Sequence, residues 1–184
     1  MMLACIDVSY HDTTAVAGCL LFRDWADREC ASQIVTTTTL DAPYKPGEFY
    51  LRELPPILAL LKKLDVLPST IVVDGYVWLG GENPGLGARL HSALSGAIPI
   101  VGVAKTGWGG PSIPNPPPDD PRRTVPVVRG SSSRPLFVTS VGVDVGAAAE
   151  RIRQMHGEYR MPTLLKAVDR LVRAHPPSTE PRTD

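Results

Sequence analysis

Residues Leu3-Ala4-Cys5-Ile6-Asp7-Val8-Ser9-Tyr10 form an apolar run that a single carboxylate, Asp7, interrupts. A run of this length and composition predicts a strand. A polar turn at residues 11–14 leads into a second apolar run, Ala15 to Phe22, so we expect an antiparallel hairpin. The β-branched residues of Gln33 to Leu40 predict a third strand beside the second.

Downstream of this hairpin the sequence alternates between helix and strand patterns. Apolar residues from Phe49 to Leu64 recur at three- and four-residue spacing, which predicts a helix kinked at Pro55-Pro56. The apolar segments Thr70 to Asp74 and Ile98 to Ala104 predict buried strands on either side of a helix at Gly85 to Leu94. Crossovers of this kind favour parallel pairing of the strands that they connect.

The C-terminal third predicts a further hairpin and two helices. The strands are expected at Thr124 to Val128 and Leu136 to Ser140, and the helices at Val145 to His156 and Thr163 to Ala174. Gly or Pro occupies nine of the fifteen positions from Gly107 to Pro121, which indicates a surface loop.

Taken together, these elements predict one α/β domain over residues 1–175, with a flexible tail at residues 176–184. We expect a mixed sheet, flanked by helices, in which three antiparallel strands precede the parallel ones.

Composition excludes several classes of protein. With 184 residues, 43% of them hydrophobic, and a formal net charge of zero, the chain is neither a disordered tail nor a strongly basic nucleic-acid binder. Charge is nevertheless uneven, because residues 1–121 carry eight Lys or Arg against thirteen Asp or Glu and residues 122–184 carry eleven against six. No segment has the 18 apolar residues of a membrane span, so we expect a cytoplasmic protein without a membrane partner. Three cysteines without C-x-x-C spacing are expected to be small buried residues.

Three carboxylates are the candidate catalytic and metal-binding groups of this chain. Asp7 interrupts the first strand, and Asp74 ends the fourth, where open α/β sheets place their ligand sites. Glu53 lies on the helix between them and completes a set of oxygen ligands suited to Mg²⁺ and to phosphodiester cleavage. The alternatives are structural: a buried ion pair for Asp7, a turn cap for Asp74 and a solvated helix position for Glu53.

Five ordered motifs resemble the endonuclease V family, and the resemblance extends from about Met2 to His175. The Tyr-x-Pro-Gly and Arg-Glu-x-Pro pattern of the second motif is the most specific of them. The motifs are Ile6-Asp7-Val8-Ser9-Tyr10, Tyr44 to Pro55, Val73-Asp74-Gly75, Pro84 to Ala88 with Leu90, and Val101-Gly102-Val103-Ala104-Lys105.

The resemblance implies a ribonuclease-H-like fold and an endonuclease that uses Mg²⁺, for which Mn²⁺ can substitute. Such an enzyme recognises deoxyinosine, a deaminated adenine, in DNA and cuts on the 3′ side of the lesion during repair. Asp7, Glu53 and Asp74 fall on the family's metal-binding and catalytic carboxylates.

The resemblance also implies which residues contact nucleic acid. Tyr44, Pro46 and Gly47 fall on the wedge that enters the helix at the lesion. Gly85, Leu86 and Gly87 fall on the pocket that receives the extruded base, with the alternative that these glycines only open a tightly packed helix. Lys105 is expected beside the phosphate or the metal ion. We expect a monomer.

One segment departs from the family pattern. The resemblance implies Ser-Val-Gly-His, or a close variant, after the last hairpin, with the histidine near the metal site. This chain has Ser140-Val141-Gly142-Val143-Asp144 there. Val143 can neither bind a metal nor move a proton, so Asp144 is the candidate substitute as a metal ligand. Its alternative role is the N-cap of the following helix. His11 and His156 are further candidates for the missing imidazole.

Two other functions stay open. The chain could be an inosine or nucleic-acid-binding protein that has lost efficient cleavage, since Val143 replaces a histidine and Tyr76-Val77 alters the turn after Asp74. It could also act on inosine-containing RNA, because nothing in the sequence selects deoxyribose over ribose.

Overall fold

We describe a computed structural model of the chain that covers residues 1–11, 13–39, 50–81, 83–110, 116–117 and 119–175. The side chains of Tyr50 and Leu51 are not described. The expected wedge, Tyr44, Pro46 and Gly47, and the expected tail at residues 176–184 lie outside these ranges.

The described residues form nine strands and four helices. In chain order these are β1 (Leu3–His11), β2 (Thr14–Phe22), β3 (Ser32–Thr39), α1 (Tyr50–Leu61), β4 (Thr70–Asp74), β5 (Trp78–Leu79), β6 (Asn83–Pro84), α2 (Leu86–Ala93), β7 (Ile100–Ala104), β8 (Val125–Val127), β9 (Leu136–Val141), α3 (Val145–Gln154) and α4 (Thr163–Arg173).

Seven of the strands build one mixed sheet in the order β3-β2-β1-β4-β7-β9-β8. The first three strands pair antiparallel and β4 pairs parallel with β7, as the sequence predicts. Strand β4 also pairs parallel with β1. Strand β9 pairs antiparallel with both β7 and β8, which confirms the second hairpin. The small β5-β6 hairpin was not predicted; its strands have two residues each, too short to show an alternating pattern.

A separate hydrophobic cluster covers each face of the sheet. On one face α3 and α4 pack over residues such as Cys5, Val72 and Val103. On the other face α1 and α2 pack over Ile6 and Val73. Because successive side chains of a strand point to opposite faces, Asp7 and Asp74 share the face of Cys5 and Val72.

Two further expectations concern the cysteines and the membrane. Cys5 and Cys19 are buried free thiols, as predicted, and Cys30 is half-buried. None of the helices in the described part of the chain combines the length and the apolar character that a membrane span needs.

Candidate functional site

The parallel register brings Asp7 and Asp74 side by side at the carboxyl edge of the sheet. Ile6 is paired with Val73, so the two carboxylates that follow lie on neighbouring strands at the same level. Adjacent strands are about 4.8 Å apart. Lys105 follows the end of β7 at the same edge, and its Nζ donates to Asp74 Oδ2 at 2.8 Å.

The environment of Asp7 disfavours its negative charge. Its pKa is raised from 3.8 to about 6, mainly by burial and in addition by the charges of Asp74 and Asp169. A hydrogen bond of 2.8 Å from the Val8 amide and the charge of Lys105 oppose this rise. Asp7 is therefore a half-buried carboxylate with too little positive charge around it, as expected for a group that binds a cation.

Glu53 reaches the same edge from the opposite face of the sheet, on α1. Burial is the main cause that raises its pKa from 4.5 to about 8, followed by the charges of Asp7 and Asp74. A hydrogen bond with Tyr10 lowers the pKa in part. The Arg52 guanidinium lies 5.0 Å from the centre of the Tyr10 ring and so links α1 to β1 at this point.

A fourth carboxylate, Asp169, was missed by sequence reasoning. It lies on α4 and lines the same cavity of about 480 Å³ as Asp7, Asp74 and Lys105. Arg173 contacts Asp169 Oδ1 through Nε at 3.0 Å and Nη2 at 2.9 Å. In the sequence Asp169 resembles an ordinary polar position of an amphipathic helix, and only the packing of α4 brings it to the site.

Gly18 explains why α4 lies so close to the carboxylates. It is the β2 partner of Asp7 in the sheet register. A Cβ atom at this position would meet Val172 Cγ1 of α4 at 2.6 Å and Leu171 Cδ2 at 3.4 Å. The missing side chain therefore lets α4 place Asp169 over the strand that carries Asp7.

The donor set fits a hard divalent cation that takes part of its ligands from water and substrate. All of the candidate ligands are carboxylate oxygens, and burial, together with their mutual repulsion, raises the pKa values of Asp7 and Glu53. No group of three or more His, Cys, Asp or Glu side chains within the described residues is drawn together closely enough to hold a metal ion by itself. Mg²⁺ is commonly held by only one or two carboxylates, with waters and phosphate oxygens as its other ligands.

Asp144 and Val143 lie at the wrong edge of the sheet for a role in this site. Val141 pairs with Ile100, the first residue of β7, whereas Lys105 follows the last. Four residues of strand, about 13 Å, therefore separate the two edges. The side chain of Asp144 accepts from the Ala147 amide at 2.7 Å and caps α3, so the N-cap alternative is confirmed. The strand register thus places this segment away from Asp7 and Asp74.

Gly85 and Gly87, two residues of the expected base pocket, pack closely against the residues that follow Asp74. A Cβ at Gly85 would meet the Tyr76 carbonyl oxygen at 2.5 Å, and one at Gly87 would meet Val77 Cγ2 at 2.6 Å. The two glycines therefore let α2 pack against the turn after Asp74, which agrees with the structural alternative for them.

A cavity of about 300 Å³ lies next to the carboxylate edge, on the side of β9. The rings of Tyr76 and Trp108 meet edge to face within its lining, with centroids 6.3 Å apart. The Tyr76 hydroxyl donates to the Thr106 carbonyl at 2.7 Å, which fixes the ring. The other lining residues are Gly80, Gly81, Gly107, Pro116, Asp120, Arg122, Arg123, Thr124 and Phe137.

Comparison with known proteins places the chain in a family. A sequence profile of the family described as Endonuclease V matches residues 1–170. The chain belongs to the endonuclease V family. It is 32% identical to Endonuclease V of Nocardia farcinica, with 94% of this chain and 80% of that protein covered. The corresponding values for Endonuclease V of Streptomyces coelicolor are 30%, 92% and 76%.

Solved structures of the endonuclease V family share the fold, which confirms the expected ribonuclease-H-like architecture. The structure of Endonuclease V from Streptomyces avermitilis has a TM-score of 0.71 at 26% identity and covers 95% of this chain and 80% of its own. Endonuclease V of Ciona intestinalis, in complex with a 24mer DNA containing an inosine followed by a ribo-adenosine, has a TM-score of 0.72 at 20% identity. That alignment covers 95% of this chain and 84% of the Ciona chain.

Proposed function

We propose that this member of the endonuclease V family is a divalent-metal-dependent endonuclease that cuts DNA on the 3′ side of deoxyinosine, in repair of deaminated adenine. The observation that carries the proposal is the meeting of Asp7, Asp74 and Glu53, from both faces of the sheet, at one edge. Two comparisons support the reaction and the substrate: the matching family is named for an endonuclease, and the structure of the Ciona relative is a complex with an inosine-containing DNA.

Asp7 and Asp74 would bind the cation directly. Glu53 and Asp169 would be further ligands or would contact the water molecules bound to it. When bound, Mg²⁺ or Mn²⁺ supplies Lewis-acid chemistry that activates a water and stabilises the leaving oxygen. Glu53 accepts a hydrogen bond from the attacking water and so orients it towards the scissile phosphate. The Lys105 ammonium, held at Asp74, donates to a phosphate oxygen and offsets the negative charge of the site.

We place the extruded base in the cavity between the Tyr76 turn and the Trp108 loop, rather than at Gly85 to Gly87. Its volume of about 300 Å³ is at the lower end of the range for small-molecule sites. Aromatic rings replace the stacking that a base loses when it leaves the helix. The wedge role of Tyr44, Pro46 and Gly47 remains a proposal from the family resemblance.

Nicking of end-labelled oligonucleotides tests this function. Matched duplexes carry one deoxyinosine or the corresponding adenine, and the same sequence with inosine in RNA is the third substrate. We expect cation-dependent cleavage 3′ of deoxyinosine and none in the adenine duplex. Cleavage of the RNA alone would mean that the substrate is inosine-containing RNA and not deoxyinosine DNA. Binding without cleavage in Mg²⁺ and Mn²⁺ would favour a protein that only recognises inosine-containing nucleic acid. A monomeric state and a cytoplasmic location remain predictions.

A further inference from the structure

The cavity that holds the carboxylates continues past them into a groove between β1 and α4. Beyond Asp7 and Asp169 it is lined by Ser9 and His11 from the strand and by Arg173 from the helix. We call these three residues the groove end. None of them has a role in the cleavage chemistry proposed above.

The strand geometry points Ser9 and His11 to the same side as Asp7. Alternate residues of a strand share a face, so Asp7, Ser9 and His11 form one row along β1. The Ser9 hydroxyl donates to the Val172 carbonyl of α4 at 3.2 Å, and His11 Nε2 lies 3.5 Å from that hydroxyl oxygen. His11 is four residues from Asp7, which corresponds to about 13 Å of strand.

Arg173 forms the opposite wall of the groove end. Two of its N–H groups contact Asp169. A guanidinium has five N–H donors, so three remain for other partners. The side chain is 72% exposed. The groove end therefore presents an imidazole and a guanidinium to solvent, whereas the centre of the cavity presents carboxylates.

We propose that the groove end binds a backbone phosphate of the cleaved strand that flanks the scissile phosphate. The proposal rests on the function proposed above, in which the carboxylates cut a nucleic-acid strand. A phosphodiester strand repeats its negative charge at every nucleotide, so a strand whose scissile phosphate is at Asp7 has another phosphate along the groove. Contacts of this kind fix the register of the strand and carry no sequence information.

Combining substitutions in the protein with replacement of single phosphates in the substrate tests the contact. Wild type, His11→Ala, His11→Gln and Arg173→Gln are compared in binding a deoxyinosine oligonucleotide without divalent cations, so that no cleavage occurs. In a set of otherwise identical oligonucleotides, one phosphate at a time is replaced by a neutral methylphosphonate on either side of the cleavage position. His156→Ala is the matched control, because His156 bonds to Thr163 Oγ1 at 2.9 Å, outside the groove.

We expect His11→Ala and Arg173→Gln each to weaken binding about tenfold, the effect of losing one hydrogen bond to a charged group. One methylphosphonate position should weaken binding by the wild type more than either substitution does, and its effect should be about tenfold smaller in His11→Ala than in the wild type. His156→Ala should bind like the wild type. Thermal melting of each variant shows that it is folded, and His11→Gln gives a second variant with a polar side chain.

Two results would overturn the phosphate site. In one, His11→Ala and His11→Gln bind as the wild type does. In the other, the loss of binding free energy caused by His11→Ala and the loss caused by a methylphosphonate are additive at every position of the methylphosphonate. If the wild type nicks deoxyinosine DNA in either case, the proposed function stands and the groove end alone is wrong. If the wild type neither binds nor nicks any oligonucleotide, both proposals fail.

Discussion

Replacing Glu53 by Gln should change how the stability of the metal-free protein depends on pH. In the unfolded chain Glu53 ionises near 4.5, but in the folded protein its pKa is about 8. Between these values unfolding releases a proton, so the free energy of unfolding falls as the pH rises. Full stability is present below about pH 4.5 and is lost progressively towards pH 8.

The magnitude follows from the size of the shift. One pKa unit corresponds to about 1.4 kcal/mol, so full ionisation of Glu53 opposes folding by at most about 5 kcal/mol. From pH 5 to pH 7 the linkage gives a loss of about 2.5 kcal/mol. Partial solvent contact and coupling to Asp7 reduce this figure, and we expect about 1–2 kcal/mol.

Urea unfolding in EDTA at pH 5 and pH 7 measures this effect. Glu53→Gln should be more stable than the wild type at pH 7, by about 1–2 kcal/mol more than at pH 5. Glu29→Gln, at an exposed carboxylate outside the site, is the control and should follow the wild type. Adding Mg²⁺ at pH 7 should stabilise the wild type more than Glu53→Gln. An equal effect of Glu53→Gln at both pH values would refute the raised pKa of Glu53 on which this reasoning depends.

Three other substitutions test how the site is built. Gly18→Val should push α4 away from β1 through the contact with Val172, lowering stability by about 1–3 kcal/mol and slowing nicking of the folded fraction; a normal nicking rate would show that the approach of α4 is unimportant. Lys105→Met should slow nicking at least about tenfold without raising the Mg²⁺ concentration for half-maximal rate, because the ammonium offsets charge at Asp74; a large rise in that concentration would contradict the assignment. Trp108→Ala should weaken binding of deoxyinosine DNA about tenfold by removing a stacking surface, with undamaged DNA unaffected; equal losses on both would remove the base from this cavity.

Asp7 and Asp74 could be chosen as candidate ligands from the sequence because that choice depends on local signals. Each carboxylate occupies a marked position in a short apolar strand, and right-handed crossovers favour placing such strands side by side. The hairpins and the order of the helices follow from the same kind of signal.

The remaining parts of the site depend on contacts distant in sequence. Asp169 reaches Asp7 because Gly18 gives α4 room, and neither residue shows this in its own segment. The position of Asp144 depends on the antiparallel direction of β9, which carries residues 140–144 away from the carboxylates. Asp before a helix is both a common cap and a possible ligand, so sequence alone could not choose between the two.

The most direct test of the central claim is cleavage of an end-labelled duplex with one deoxyinosine, by wild type and by Asp7→Ala, in Mg²⁺ and in EDTA. The account predicts one nick 3′ of the lesion by the wild type in Mg²⁺ and none in EDTA. It predicts no nick by Asp7→Ala, whose melting temperature should equal or exceed that of the metal-free wild type, since a repelled carboxylate is removed. Undiminished cleavage by a folded Asp7→Ala, or unfolding of that variant, would contradict the assignment of Asp7 to a metal-binding catalytic site.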